Sequence, residues 1–113
     1  MTQELPSINT FWATIHIAGE LTEIKSICQR YCLKGACVSV VPQEFIYSGG
    51  RESGAAITMI AYPRFPKDDV VIMGEAYDLA NLLTKQLGQR SCSIVTPHKT
   101  TYFQNEDLLK VQL

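Results

Sequence analysis

From Phe11 to Ala18 the chain alternates, with Ile15 and Ile17 on one side and Thr14 and His16 on the other, and the run closes at Gly19. Alternation in a segment rich in β-branched and aromatic residues predicts a strand with one buried face. The period then changes. Leu21, Ile24, Cys28, Tyr31 and Cys32 recur at helical spacing, Glu20 and Glu23 stand at the favourable N-terminal end, and Lys34-Gly35 supplies a stop, so a helix is expected. A second strand begins at Gly35 to Pro42 and continues through Glu44 to Tyr47. Pro42 marks an edge, a bulge or a bend in it, because proline donates no ladder hydrogen bond. Ala55 to Tyr62 is an apolar third strand suited to a sheet centre.

Ser48 to Gly54 carries three glycines, at 49, 50 and 54, and is expected to form the tip of a long hairpin arm running from Ala36 to Tyr62. Pro63-Arg64-Phe65-Pro66 then breaks the sheet. Val70 to Met73 fits either a short strand or the first turns of a helix, with Gly74 weakening the helical choice. Past Glu75 the pattern is clear: Ala76, Leu79, Ala80, Leu83 and Leu87 form a helical stripe that ends at Gly88. Ser91 to Thr96 reads as a fourth strand, and Glu106 to Leu113 as a short last element that caps the domain or lies along a neighbour. The order predicts an α+β fold of the ferredoxin-like βαββαβ kind: an antiparallel sheet, two helices on one face, and a long hairpin between the second and third strands.

Composition narrows this picture. A chain of 113 residues that is 46% hydrophobic suits one domain spanning residues 1–113. Its net charge of −1 gives no overall footprint for nucleic acid, which is not an expected partner. Met1 to Asn9 lacks the pattern of a secretory signal and no apolar run approaches the ~18 residues of a membrane span, so a cytoplasmic location without membrane association is expected. In that setting Cys28, Cys32, Cys37 and Cys92 are expected to be reduced thiols that pack as small apolar groups.

Four segments carry candidate chemistry. Arg51 and Glu52, on the glycine-rich tip, could meet an anion or bridge subunits; the segment is no nucleotide-binding loop, since it joins two strands where those motifs enter a helix. Arg64 lies between Tyr62 and Phe65, a basic aromatic loop. His98 and Lys99 follow the last strand with Thr100, Thr101 and Tyr102, the most reactive cluster in the chain. A Cys92–His98 nucleophile and base pair is disfavoured, because six extended residues separate the two by roughly 20 Å. For a metal, His16, Cys37 and His98 are the expected ligands, and their softness favours copper or zinc, though no spacing converges them.

Gly35-Ala36-Cys37-Val38 followed by Pro42, then Tyr47, Gly50 and Glu52 on a hairpin, resembles the corresponding stretch of the CutA divalent-cation-tolerance family over residues 13–62. The chain has Tyr47-Ser48-Gly49-Gly50 where that family carries an aromatic-x-Gly, and Gln89-Arg90-Ser91-Cys92 where it carries a His-Pro-aromatic step. The PII signalling proteins share the topology without a matching motif. The resemblance implies a homotrimer whose hairpins pair across subunits, and a link to divalent metal ions. Independently, an arm with Phe45, Ile46, Tyr47, Ile57 and Met59 outruns a small helix layer and invites a second chain.

The expected function is thus that of a non-enzymatic homo-oligomer, a trimer, holding a metal ion or small ligand between subunits. The alternatives are a small enzyme using His98, and an adaptor with no small ligand that docks through Leu108 to Leu113.

Overall fold

The structure, a computed structural model, describes residues 5–105. Its elements are β1 (Trp12–Ala18), α1 (Leu21–Cys32), β2 (Ser39–Tyr47), β3 (Gly50–Ile60), α2 (Asp69–Leu87), β4 (Ser91–Val95) and β5 (Thr100–Gln104). The five strands form one sheet in the order β2-β3-β1-β4-β5, with every neighbouring pair antiparallel. The expected α+β, ferredoxin-like arrangement is present, extended by β5 at the β4 edge.

Alternation decides which face of the sheet is covered. Ala13, Ile15 and Ile17 of β1, Ala55, Ile57 and Met59 of β3, and Cys92 and Ile94 of β4 are buried against Ile24, Ile27 and Cys28 of α1 and Ile72, Ala76, Leu79, Ala80 and Leu83 of α2. Both helices therefore pack on the same face, where their apolar stripes meet the inward set of each strand. The opposite face has no helix over it among the described residues.

The helix ends follow local chemistry. Both carboxylate oxygens of Glu20 accept from the first turn of α1, from Thr22 N at 3.1 Å and Glu23 N at 2.8 Å. Those two backbone bonds hold the Glu20 carboxyl below its ordinary range. Gly88 closes α2 at φ 70°, a left-handed position that suits glycine, and Gln89 N then bonds Thr84 O at 2.9 Å.

One open choice is resolved, and two features differ from expectation. The helix begins at Asp69, so Val70 to Met73 are helical; Ile72 is buried under the sheet, and an added Cβ at Gly74 would meet nothing within 4 Å. Tertiary burial outweighs the modest propensity cost of one glycine. The hairpin turn is only Ser48-Gly49, because Tyr47 pairs with Gly50 and the ladder continues through Gly54 opposite Gln43. Gly49, at φ 86°, is the residue that the turn requires. Finally, Thr100 to Gln104, placed beyond the last expected strand, forms a fifth strand, and Phe103 on its inner side packs near Tyr77 with ring centroids 6.2 Å apart. The expected element at Glu106 to Leu113 lies outside the described residues.

Candidate functional site on the open sheet face

On the uncovered face a polar ladder crosses the middle strands. Thr14 and Thr58 are partners in the β1–β3 register and their hydroxyls lie 2.8 Å apart. Two residues along β1, His16 Nδ1 lies 2.9 Å from Gln43 Oε1, a contact that spans β3. It is made over Ala56 and Gly54, the β3 residues that pair with His16 and Gln43 respectively. Side chains this small leave the space for Gln43 to reach the imidazole.

Towards the hairpin, His16 meets Phe45, Tyr47, Glu52, Ser93 and Tyr102 around a shallow cavity of about 220 Å³. The Tyr47 hydroxyl donates to Glu52 Oε1 at 3.0 Å. That bond, first of all, pushes the Tyr47 phenol up, so it stays a donor at neutral pH. On β5 the Tyr102 phenol is moved down, chiefly by its bond with Ser91. No lysine or arginine lines the cavity. It is a carboxylate among three aromatic rings, an environment that favours a cationic, partly apolar ligand.

The remaining candidates are spread over the molecule. Arg51 extends from the hairpin towards Glu44, 3.8 Å away, with both side chains largely in solvent, so it takes no part in the cavity that holds Glu52. Arg64 lies over the Phe65 ring, 5.5 Å from its centroid. His98 and Lys99 sit in the β4–β5 turn, where Thr96 Oγ1 accepts from His98 N at 3.4 Å and Lys99 N at 3.2 Å. The His98 ring packs near Phe11 and lines a separate cavity of about 550 Å³ beside the start of α2.

Cys37 belongs to a third place, the groove of about 430 Å³ between α1 and β2, with Cys28 and Cys32. Within one chain the expected metal ligands His16, Cys37 and His98 line different cavities, and no cluster of three metal-ligating side chains exists among the described residues. Strand pairing places His16 mid-sheet, whereas His98 sits in the turn beyond β4. Burial pushes the Cys28 thiol up to about 11 and the Cys92 thiol to about 12, so these two behave as packing groups. Cys92 faces the helices, which removes it from His98 as a nucleophile.

His16 and Glu52 were legible as candidates, Tyr102 only as a companion of His98, and Phe45, Tyr47 and Ser93 were not. The place of Tyr102 in this cavity was hidden because β5 was not expected. Phe45 and Tyr47 looked like arm residues, and the signal that could have found them was their shared parity on one strand.

No family model matches the sequence, and no curated protein matches it. Two solved structures do match in fold. A phage SAM lyase in complex with S-methyl-5′-thioadenosine superposes with a TM-score of 0.68 at 18% identity, covering 94% of this chain and 98% of that one. A phage SAM lyase in the apo state gives a TM-score of 0.66 at 18% identity, covering 85% and 90%. These neighbours are enzymes, and they overturn the expectation of a non-enzymatic, CutA-like, metal-binding protein. At this identity the likeness shows the fold, which this chain shares along almost its whole length.

Proposed function

We propose that this chain is a small enzyme that cleaves S-adenosylmethionine, releasing S-methyl-5′-thioadenosine. The observation that carries the reading is the end-to-end fold likeness to phage SAM lyases. The cavity on the open face supports it chemically. S-adenosylmethionine at neutral pH carries a sulfonium, an ammonium and one carboxylate, so it is a net cation with apolar and aromatic parts. Glu52, Tyr47, Phe45 and Tyr102, in a cavity that no lysine or arginine lines, match that description.

Release of the thioether breaks the bond between sulfur and the methionine γ-carbon, and the electron pair stays on sulfur, which becomes neutral. The four-carbon remainder either closes through its own carboxylate oxygen onto the γ-carbon or loses a β-proton to a base. Closure asks least of the protein. It needs the substrate held in a folded conformer with water excluded, which is positioning chemistry. Glu52 would hold the ammonium, which stays charged throughout, and the rings would hold the sulfonium and adenosyl portions. His16, fixed through Nδ1 by Gln43, would orient the polar end.

The test is incubation of the purified protein with S-adenosylmethionine, followed by chromatography and mass spectrometry of the products. Stoichiometric S-methyl-5′-thioadenosine with a four-carbon product that has gained no water is expected. Absence of turnover together with absence of S-adenosylmethionine binding would overturn the reading. Vinyl protons in the product spectrum would assign elimination in place of closure.

We also propose that the chain self-associates, with a trimer favoured. Val41 is 56% exposed and Tyr47 52%, both on the sheet face without helices, where the shallow Glu52 cavity lies. A second chain over that face would cover apolar surface and deepen the cavity together.

A further inference from the structure

A second cavity has no part in the proposed cleavage. It lies where the β4–β5 turn, the segment entering β1 and the start of α2 meet, and encloses about 550 Å³. Phe11 and His98 stand on one side with ring centroids 6.4 Å apart and planes inclined by 31°. That separation is within the ~4.5–7 Å of an aromatic pair in contact, so the two rings form one aromatic wall of the cavity. Asp68 and Asp69 line the cavity as well. Asp69 Oδ1 is spent on Val70 N at 2.9 Å, but Asp68 makes no capping bond despite its N-cap position. Its carboxylate is therefore available to accept from a ligand. The neighbouring cation, Lys67, is paired with Glu75 at 2.9 Å, so the cavity wall is net acidic. Asn9 and Thr10 add neutral donors and acceptors.

We propose that this cavity is a second binding site, for a neutral nucleoside: a planar base stacked at Phe11 and His98, with the ribose diol donating to Asp68. The Asp68 carboxylate accepts from a cis-diol, and Asp68 and Asp69 together repel a phosphate, so the chemistry selects nucleoside over nucleotide. The site is separate from the Glu52 cavity. Phe11 precedes the first residue of β1, whereas His16 lies four residues after Trp12, which places the two about 16 Å apart along an extended strand.

The experiment is titration of the full chain with adenosine, followed by NMR, with 2′-deoxyadenosine and adenosine 5′-monophosphate as comparators. Expected are saturable shifts at His98 and Phe11, with His98→Ala weakening adenosine about tenfold. Asp68→Asn and removal of the 2′-hydroxyl should each weaken binding several-fold, and the monophosphate should bind less tightly than adenosine. Glu52→Gln should leave these shifts in place, which separates this site from the proposed active site. Shifts confined to His16 and Tyr102, equal or tighter binding of the monophosphate, or unchanged affinity in His98→Ala would each overturn the proposal.

Discussion

The ring of Phe45 lies over the backbone of Gly54, so closely that a methyl group on Gly54 would stand 2.6 Å from Phe45 Cε2 and would also meet the Ile17 carbonyl. Gly54 pairs with Gln43 on one side and Ala18 on the other, where β1 ends and the β2–β3 ribbon runs on alone. Gly54→Ala should thus destabilise the fold by ~1–3 kcal/mol through overpacking, a fall of at least several degrees in Tm. Gly74→Ala is the opposite case, since nothing lies within 4 Å of the added carbon in mid-α2, and it should raise stability by ~0.5–1 kcal/mol. Thermal melts of the two variants check both signs.

Those two glycines also show where the sequence was legible. The helical stripe from Ala76 to Leu87 and the alternation from Ala13 to Ile17 report burial directly, and both appear where expected. Gly54 and Gly74 were read as a loop and as a helix breaker, because a sequence pattern carries propensity but not the neighbours that decide a glycine's cost. Thr100 to Gln104 failed for a related reason. Only Thr101 and Phe103 turn inward, too short a period to register, and the strand is held by its ladder with β4. Of the site, His16 and Glu52 were visible as residue types, whereas their meeting depends on pairing across β3.

Glu52 and Tyr47 offer a test of the proposed chemistry that does not confuse function with folding. Both are exposed, so Glu52→Gln and Tyr47→Phe should leave the melting temperature within a degree or two. Glu52→Gln should lower S-adenosylmethionine cleavage by about tenfold or more, if the carboxylate holds the substrate ammonium. It should also bring the Tyr47 phenol down towards its ordinary value, since the bond to Glu52 is what raises it. Phenolate absorbance against pH reads that shift with no substrate present. Cleavage unchanged in Glu52→Gln would remove this cavity as the active site.

The buried thiols set an alkaline limit. Cys28 and Cys92 rise from an ordinary value of 9.0 to about 11 and about 12, chiefly because burial disfavours the thiolate. The folded state favours their neutral form. The stability they contribute is therefore complete below the unfolded value and is lost as pH climbs through this window. Denaturant midpoints should fall from about pH 9 upwards, and Cys92→Ala should flatten that fall relative to its own midpoint at neutral pH. Exposed Cys37 should be alkylated in the native protein while Cys28 and Cys92 are protected.

The Lys67–Glu75 pair is the one salt bridge among the described residues with both side chains mostly buried, at 29% and 13% exposure. Lys67 Nζ donates to both carboxylate oxygens, at 3.1 and 2.9 Å, and so ties the loop before α2 to its second turn. Lys67→Met keeps the apolar stem but strands the Glu75 carboxylate with little access to water. A loss of ~1–3 kcal/mol is expected. Adding Glu75→Gln to that variant removes the unpaired charge and should recover part of the loss, and chemical denaturation of the two variants measures the difference. Lack of recovery would mean that Lys67 acts by packing its stem, because a stranded charge is relieved by neutralising it and a lost contact is not.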